Sequence, residues 1–116
     1  MKIIQGNQLA YYEQAATPAF WDHRWHDLQK NPERYMQFQL PGIIFNALNA
    51  SVPKGGRILE AGCGMGTIVY ALNARGWKCT GVDFAQQTIQ ALRRIKPELD
   101  VLTADVRHLP FPDETF

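Results

Sequence analysis

The spacing of apolar positions changes near residue 52 and divides the chain in two. Ahead of that point the pattern predicts helices. Thr17-Pro18 offers a hydroxyl N-cap followed by proline at the first helical position, Asn31-Pro32-Glu33 repeats the arrangement, and Pro41 begins a third helix. Residues 8–50 read as a helical, aromatic-rich lead-in containing Tyr11, Tyr12, Phe20, Trp21, Trp25, Tyr35, Phe38 and Phe45. The resulting division is a lead-in over 1–51 and a second unit over 52–116.

After the loop Ser51-Val52-Pro53-Lys54-Gly55-Gly56, strand and helix signals alternate. A short strand is predicted over 57–61, then a glycine-rich turn. A helix over 67–75 places Ile68, Val69 and Leu72 on one face and stops at Gly76. A second strand spans 78–83. The next helix, 85–95, repeats Ile89, Leu92 and Ile95 along one side and ends before Pro97. A third strand covers 100–104. The β-α-β-α-β order implies parallel strands joined by right-handed crossovers. The expected class is therefore α/β: the first half of a Rossmann-like parallel sheet, preceded by an N-terminal helical segment. Such a sheet needs both faces covered, and the crossover and N-terminal helices are available to cover them.

Composition narrows the function classes. The chain has 116 residues, 46% of them hydrophobic, and a net charge of +1, with no basic stretch to mark a nucleic-acid partner. No apolar run approaches the roughly 20 residues that span a bilayer. Residues 1–10 lack the apolar centre of a secretory signal, so a cytoplasmic location is expected. Cys63 and Cys79 form no metal-spaced pattern and read as two buried thiols in a reducing compartment. His23 and His26 lie a helical turn apart without a third ligand, so no metal site is expected.

The chemistry concentrates in Glu60-Ala61-Gly62-Cys63-Gly64-Met65-Gly66, which follows a strand and opens a helix. Glycines there allow a sharp turn and close approach to a ligand. The dinucleotide fingerprint would need glycine at position 67, where this chain has Thr67. A carboxylate at the strand end also suits a cation better than a pyrophosphate. S-adenosylmethionine, with its sulfonium and ammonium groups and no phosphate, fits Glu60 on those grounds, although Glu60 reads equally as a cap for the following helix. Asp83, ending the second strand, overlooks the same crevice and can accept bonds from two ribose hydroxyls. Asp105, just after the third strand, can accept from an adenine amino group beside the backbone amide of Val106; an aspartate there is also a common turn residue.

Three acids at the ends of three successive strands resemble the class I S-adenosylmethionine-dependent methyltransferases, in particular the methyltransferase type 11 group. The matching segments are 58–66 (ILEAGCGMG), 79–89 (CTGVDFAQQTI) and 102–116 (LTADVRHLPFPDETF), within a resemblance covering about 56–116. The resemblance implies that Gly62, Gly64 and Gly66 cradle the methionine part, with Glu60 near its amino end. It further implies Asp83 at the ribose, Phe84 flanking the adenine, and Asp105 with Val106 at its amino edge. Phe20-Trp21-Asp22-His23-Arg24-Trp25 is similar to the lead-in of small-molecule methyltransferases, including thiopurine-type enzymes, where that region folds over the cofactor. An aromatic stripe such as Trp21/Trp25 is also more often hydrophobic core than a cover for a cofactor.

Family members continue past Asp-Glu-Thr-Phe into further strands whose ends carry much of the acceptor site. The chain is therefore expected to be a fragment, with its first strand left as an apolar edge open to self-association. The expected activity is methyl transfer to an unidentified, small-molecule acceptor, with S-adenosylmethionine or S-adenosylhomocysteine as the bound partner and no catalytic base named; His108 reads as structural. Two alternatives stand beside it: an NAD(P)-dependent oxidoreductase half-domain, since an acid about 20 residues past the glycine turn fits that class too, and a non-catalytic fragment.

Overall fold

Strands β3 (Arg57–Ala61), β4 (Lys78–Asp83) and β5 (Asp100–Thr103) form a parallel sheet in the order β3-β4-β5. The computed structural model describes residues 2–11, 15–31, 33, 37 and 39–116. The register pairs Ala61 with Val82 and Asp83 with Thr103, so the carboxyl ends of the three strands lie side by side. Helix α3 (Thr67–Asn73) joins β3 to β4, and α4 (Gln86–Ile95) joins β4 to β5. All five elements fall where the apolar periodicity places them, within two residues at each end.

The helices follow the predicted faces. Val69 and Leu72 of α3 and Ile89 and Leu92 of α4 are buried to within 1% of complete exclusion, while Ile68 and Ile95 sit half-buried at the margins. They pack with Cys79 and Val101 in the main core. Gly76, at φ +93°, ends the helical segment, and the Trp77 N–H returns to the Leu72 carbonyl.

The lead-in departs in part from expectation. It opens with an antiparallel hairpin, β1 (Lys2–Gln5) and β2 (Gln8–Tyr11), rather than with helix from residue 8. Gly6, at φ +59°, holds the first central position of a two-residue turn, where a type II′ hairpin favours glycine. The physical reason is period: both flanking segments are too short for a helical repeat. The other two described starts hold. Helix α1 (Pro18–Gln29) is capped by Thr17, whose Oγ1 accepts from the Phe20 amide at 3.2 Å. Helix α2 (Gly42–Ser51) begins directly after Pro41. Tyr12, Pro32, Tyr35 and Phe38 lie outside the described residues.

Helix α1 packs on α4. Helix α2 brings Phe45 and Leu48 to the main core, with Phe45 edge-on to Trp77 at 5.9 Å between ring centroids. Trp77 donates its indole N–H to the Val52 carbonyl and carries the Lys54 ammonium 3.4 Å from its ring centroid.

Candidate functional site

The carboxyl ends of the strands meet at a short web of backbone bonds. The amides of Gly62 and Cys63 both donate to the Val82 carbonyl, at 2.8 and 2.9 Å, and the Ala104 amide donates to the Asp83 carbonyl at 2.9 Å. Gly62, Gly64 and Gly66 all take positive φ, at +89°, +52° and +74°. This glycine turn is held from β4: the Gly64 amide donates to Asp83 Oδ2 at 2.7 Å, while Asp83 Oδ1 accepts from the Ala85 amide at 2.9 Å. Asp83, only 8% exposed, thus ties the turn after β3 to the turn that opens α4.

A cavity of about 440 Å³ opens above these strand ends. Ala61, Gly62, Asp83 and Phe84 form one side, Asp105, Val106 and Arg107 another, and Ala16, Trp21 and Trp25 a third. Five expected site residues, Gly62, Asp83, Phe84, Asp105 and Val106, therefore share one cleft. Three others do not line it. Gly64 lies under the Trp25 indole: a Cβ there would sit 2.6 Å from the ring. Gly66 faces inward against Leu92 and Leu99. Glu60 is half-buried within β3, opposite Gly81, and burial pushes its carboxyl above the ordinary range. It makes no hydrogen bond to the following helix among the described residues, so its reading as a helix cap is corrected.

Asp105 reaches the cleft with its carboxylate already engaged. Oδ1 accepts from the Arg107 amide and Nε, both at 2.9 Å, and Oδ2 from Nε at 3.1 Å and from the terminal guanidinium nitrogen at 2.6 Å. That fork holds the carboxyl well below the usual carboxylate range. Arg107 was not among the expected site residues; its spacing of two from Asp105 is the signal that could have found it. His108 is exposed, as are His23 and His26 on α1, and no group of metal-ligating side chains occurs among the described residues.

Both thiols are buried and free, as expected. Burial, together with the nearby charges of Asp83 and Glu60, pushes Cys63 up to about 12. Cys79 is likewise pushed up to about 12, by burial and then by the charge of Glu60. A thiol so disfavoured as thiolate is no nucleophile at neutral pH.

With this geometry in place, the comparisons with known proteins separate the Rossmann-like readings. Residues 58–116, half of the chain, match the family model described as methyltransferase domain. The chain belongs to the methyltransferase domain family. This rules in favour of the methyltransferase reading over the oxidoreductase one. The chain is 43% identical over 93 residues to an S-adenosyl-L-methionine-dependent Diels-Alderase, iccD, of Talaromyces variabilis, covering 79% of this chain and 27% of that protein. It is 35% identical over 69 residues to phosphatidylethanolamine N-methyltransferase of Cereibacter sphaeroides, covering 54% of this chain and 34% of the relative. Among solved structures it resembles the PH0226 protein of Pyrococcus horikoshii, with 25% identity, TM-score 0.53, and coverage of 70% of this chain and 42% of the other. It also resembles a TehB-like SAM-dependent methyltransferase of Corynebacterium glutamicum, with 26% identity, TM-score 0.50, and coverage of 76% and 45%. The chain thus spans about a third or less of the curated relatives' length and under half of the solved structures'. S-adenosylmethionine is the family's cofactor.

Proposed function

We propose that this chain provides the donor-binding part of an S-adenosylmethionine-dependent methyltransferase acting on a small-molecule acceptor. The observation that carries the reading is the convergence of Gly62, Asp83, Phe84 and Val106 on one cleft at the carboxyl ends of parallel strands. Its volume of about 440 Å³ falls within the range of roughly 300–1,000 Å³ found for small-molecule sites. A net charge of +1 without a basic stretch argues against a nucleic-acid acceptor.

The residues present fit this cofactor. Nothing lies within 4 Å of where a Gly62 side chain would begin, so a ligand can come up against the backbone there. Each oxygen of Asp83 already accepts one amide and keeps a second lone pair, which suits it to a pair of ribose hydroxyls. Phe84 and Val106 offer apolar surface to an adenine ring. Asp105 takes the amino group by giving up part of its bonding to Arg107, while Glu60 contributes negative charge from behind the turn. Gly64 and Gly66 act by shaping the turn itself. When bound, the cofactor supplies an electrophilic methyl on a sulfonium. The work left to the chain is to orient it and exclude water, so no catalytic base is required of these residues.

Two free buried thiols favour a reducing compartment such as the cytoplasm. The outer edge of β3, an end strand of the described sheet, is the surface through which these 116 residues alone would self-associate.

Calorimetric titration of the 116-residue chain with S-adenosylhomocysteine, with NADH as control, tests the donor reading. Saturable binding of the thioether but not of NADH is expected, reduced about tenfold or more in a folded Asp83→Ala variant through loss of a charged acceptor. A folded chain that binds neither ligand would refute it.

A further inference from the structure

Helix α4 begins without a cap of its own: Ala85 occupies the N-cap position and provides no side-chain acceptor. The missing acceptor comes from the other half of the chain. Asp22 Oδ1 accepts both the Thr88 amide, at 2.8 Å, and the Thr88 hydroxyl, at 2.9 Å, across 66 positions of sequence. Thr88 is completely buried, and its amide belongs to the first turn, where donors lack partners within the helix. A carboxylate there also meets the positive end of the helix dipole. Asp22 is therefore a cap supplied by α1 to α4.

Three residues further along α1, on the same face, the Trp25 indole rests on Gly64. Trp25 and Trp21 also line the cleft beside Gly62 and Asp83. Gly64 is thus gripped twice, by the Asp83 carboxylate on its amide and by the indole on its open side. We infer that Asp22 is a positioning residue that latches α1 to α4, seats Trp25 on the Gly64 turn, and thereby sets the affinity of the donor cleft. This rests on the donor-site reading above. It makes residues 16–25 part of that site rather than a separate lead-in.

The test uses the full 116-residue chain with Asp22→Ala, Asp22→Asn and Trp25→Ala variants, S-adenosylhomocysteine calorimetry, and amide and indole NMR resonances of the ligand-free protein. In Asp22→Ala, the Thr88 amide loses protection and the Gly64 amide and Trp25 indole resonances shift. The Trp77 indole, bonded to Val52 on a different part of the core, stays in place and reports that the fold is intact. Ligand affinity falls about tenfold. Asp22→Asn, whose amide oxygen can accept the same two bonds, restores the resonances and brings affinity back to within about threefold. Trp25→Ala, which leaves the latch untouched, weakens binding as much as Asp22→Ala. If Trp25→Ala binds the thioether like the parent chain, the inference is overturned even should Asp22→Ala fail to fold. If the parent binds, Asp83→Ala binds about tenfold or more weakly, and both α1 variants bind normally, only the latch is wrong. A folded parent that does not bind at all overturns the donor reading, and the latch's role in it.

Discussion

At Gly66 there is no room for a methyl group. An added Cβ would stand 2.7 Å from Leu92 and 3.3 Å from Leu99, at a φ of +74° that side chains rarely adopt. Leu92 is itself fully buried and cannot retreat into solvent. Gly66→Ala is therefore expected to destabilise the chain by about 1–3 kcal/mol through overpacking and backbone strain, measurable as a lower urea midpoint at unchanged m-value. The identity of this glycine was plain in the sequence, but its packing was not: the family resemblance implied that Gly62, Gly64 and Gly66 together cradle the methionine part. Only Gly62 faces the cleft; Gly64 receives an indole and Gly66 packs the core. Asp105 teaches the same lesson. Its place at a strand end was legible, whereas its engagement by Arg107 depends on how the loop bends back.

Among the elements, those with a complete apolar period were read correctly. Strand β4 buries every residue after Lys78, and helix α4 buries Thr88, Ile89, Ala91 and Leu92 along one face, so their types follow from spacing. The hairpin β1–β2 is too short to show a period, and its turn residues Gly6-Asn7 were the available signal. Strand β3 has a different character from β4: its central residues are half-buried and its ends exposed, because it is paired only with β4 within the described sheet. Sedimentation velocity of the 116-residue chain is expected to show reversible self-association that increases with concentration. A Leu59→Lys substitution, placing a charge on that strand, should suppress it. A monomer at every concentration would mean that this edge is protected.

Taken as a whole, the molecule ties its ionisation to its fold through Cys63 and Cys79. Each thiol titrates ordinarily near 9.0 and is pushed up to about 12 in the folded chain. Above pH 9 the unfolded chain therefore releases protons that the folded one retains, and unfolding is favoured as pH rises. The stability these thiols contribute is complete below pH 9 and is lost progressively toward pH 12. Urea unfolding between pH 7 and 11 should show this decline, and the Cys63→Ala/Cys79→Ala double variant should have a shallower alkaline slope. An identical slope in parent and variant would assign the decline to other groups.

The sequence alone carried the order of strands and helices over residues 57–104, their parallel pairing, and the placing of Glu60, Asp83 and Asp105 at or near successive strand ends. These follow from local periodicity and from the rule that β-α-β units close in one hand. It also carried the family resemblance that the match over residues 58–116 bears out. Tertiary structure alone decided which glycine faces the cleft, that Arg107 holds Asp105, and that Asp22 and Trp25 meet Thr88 and Gly64. These contacts join residues far apart in the chain, or set a loop's bend, and no local period encodes them. Their partners are chosen only when α1 docks on α4 and buried donors must find acceptors.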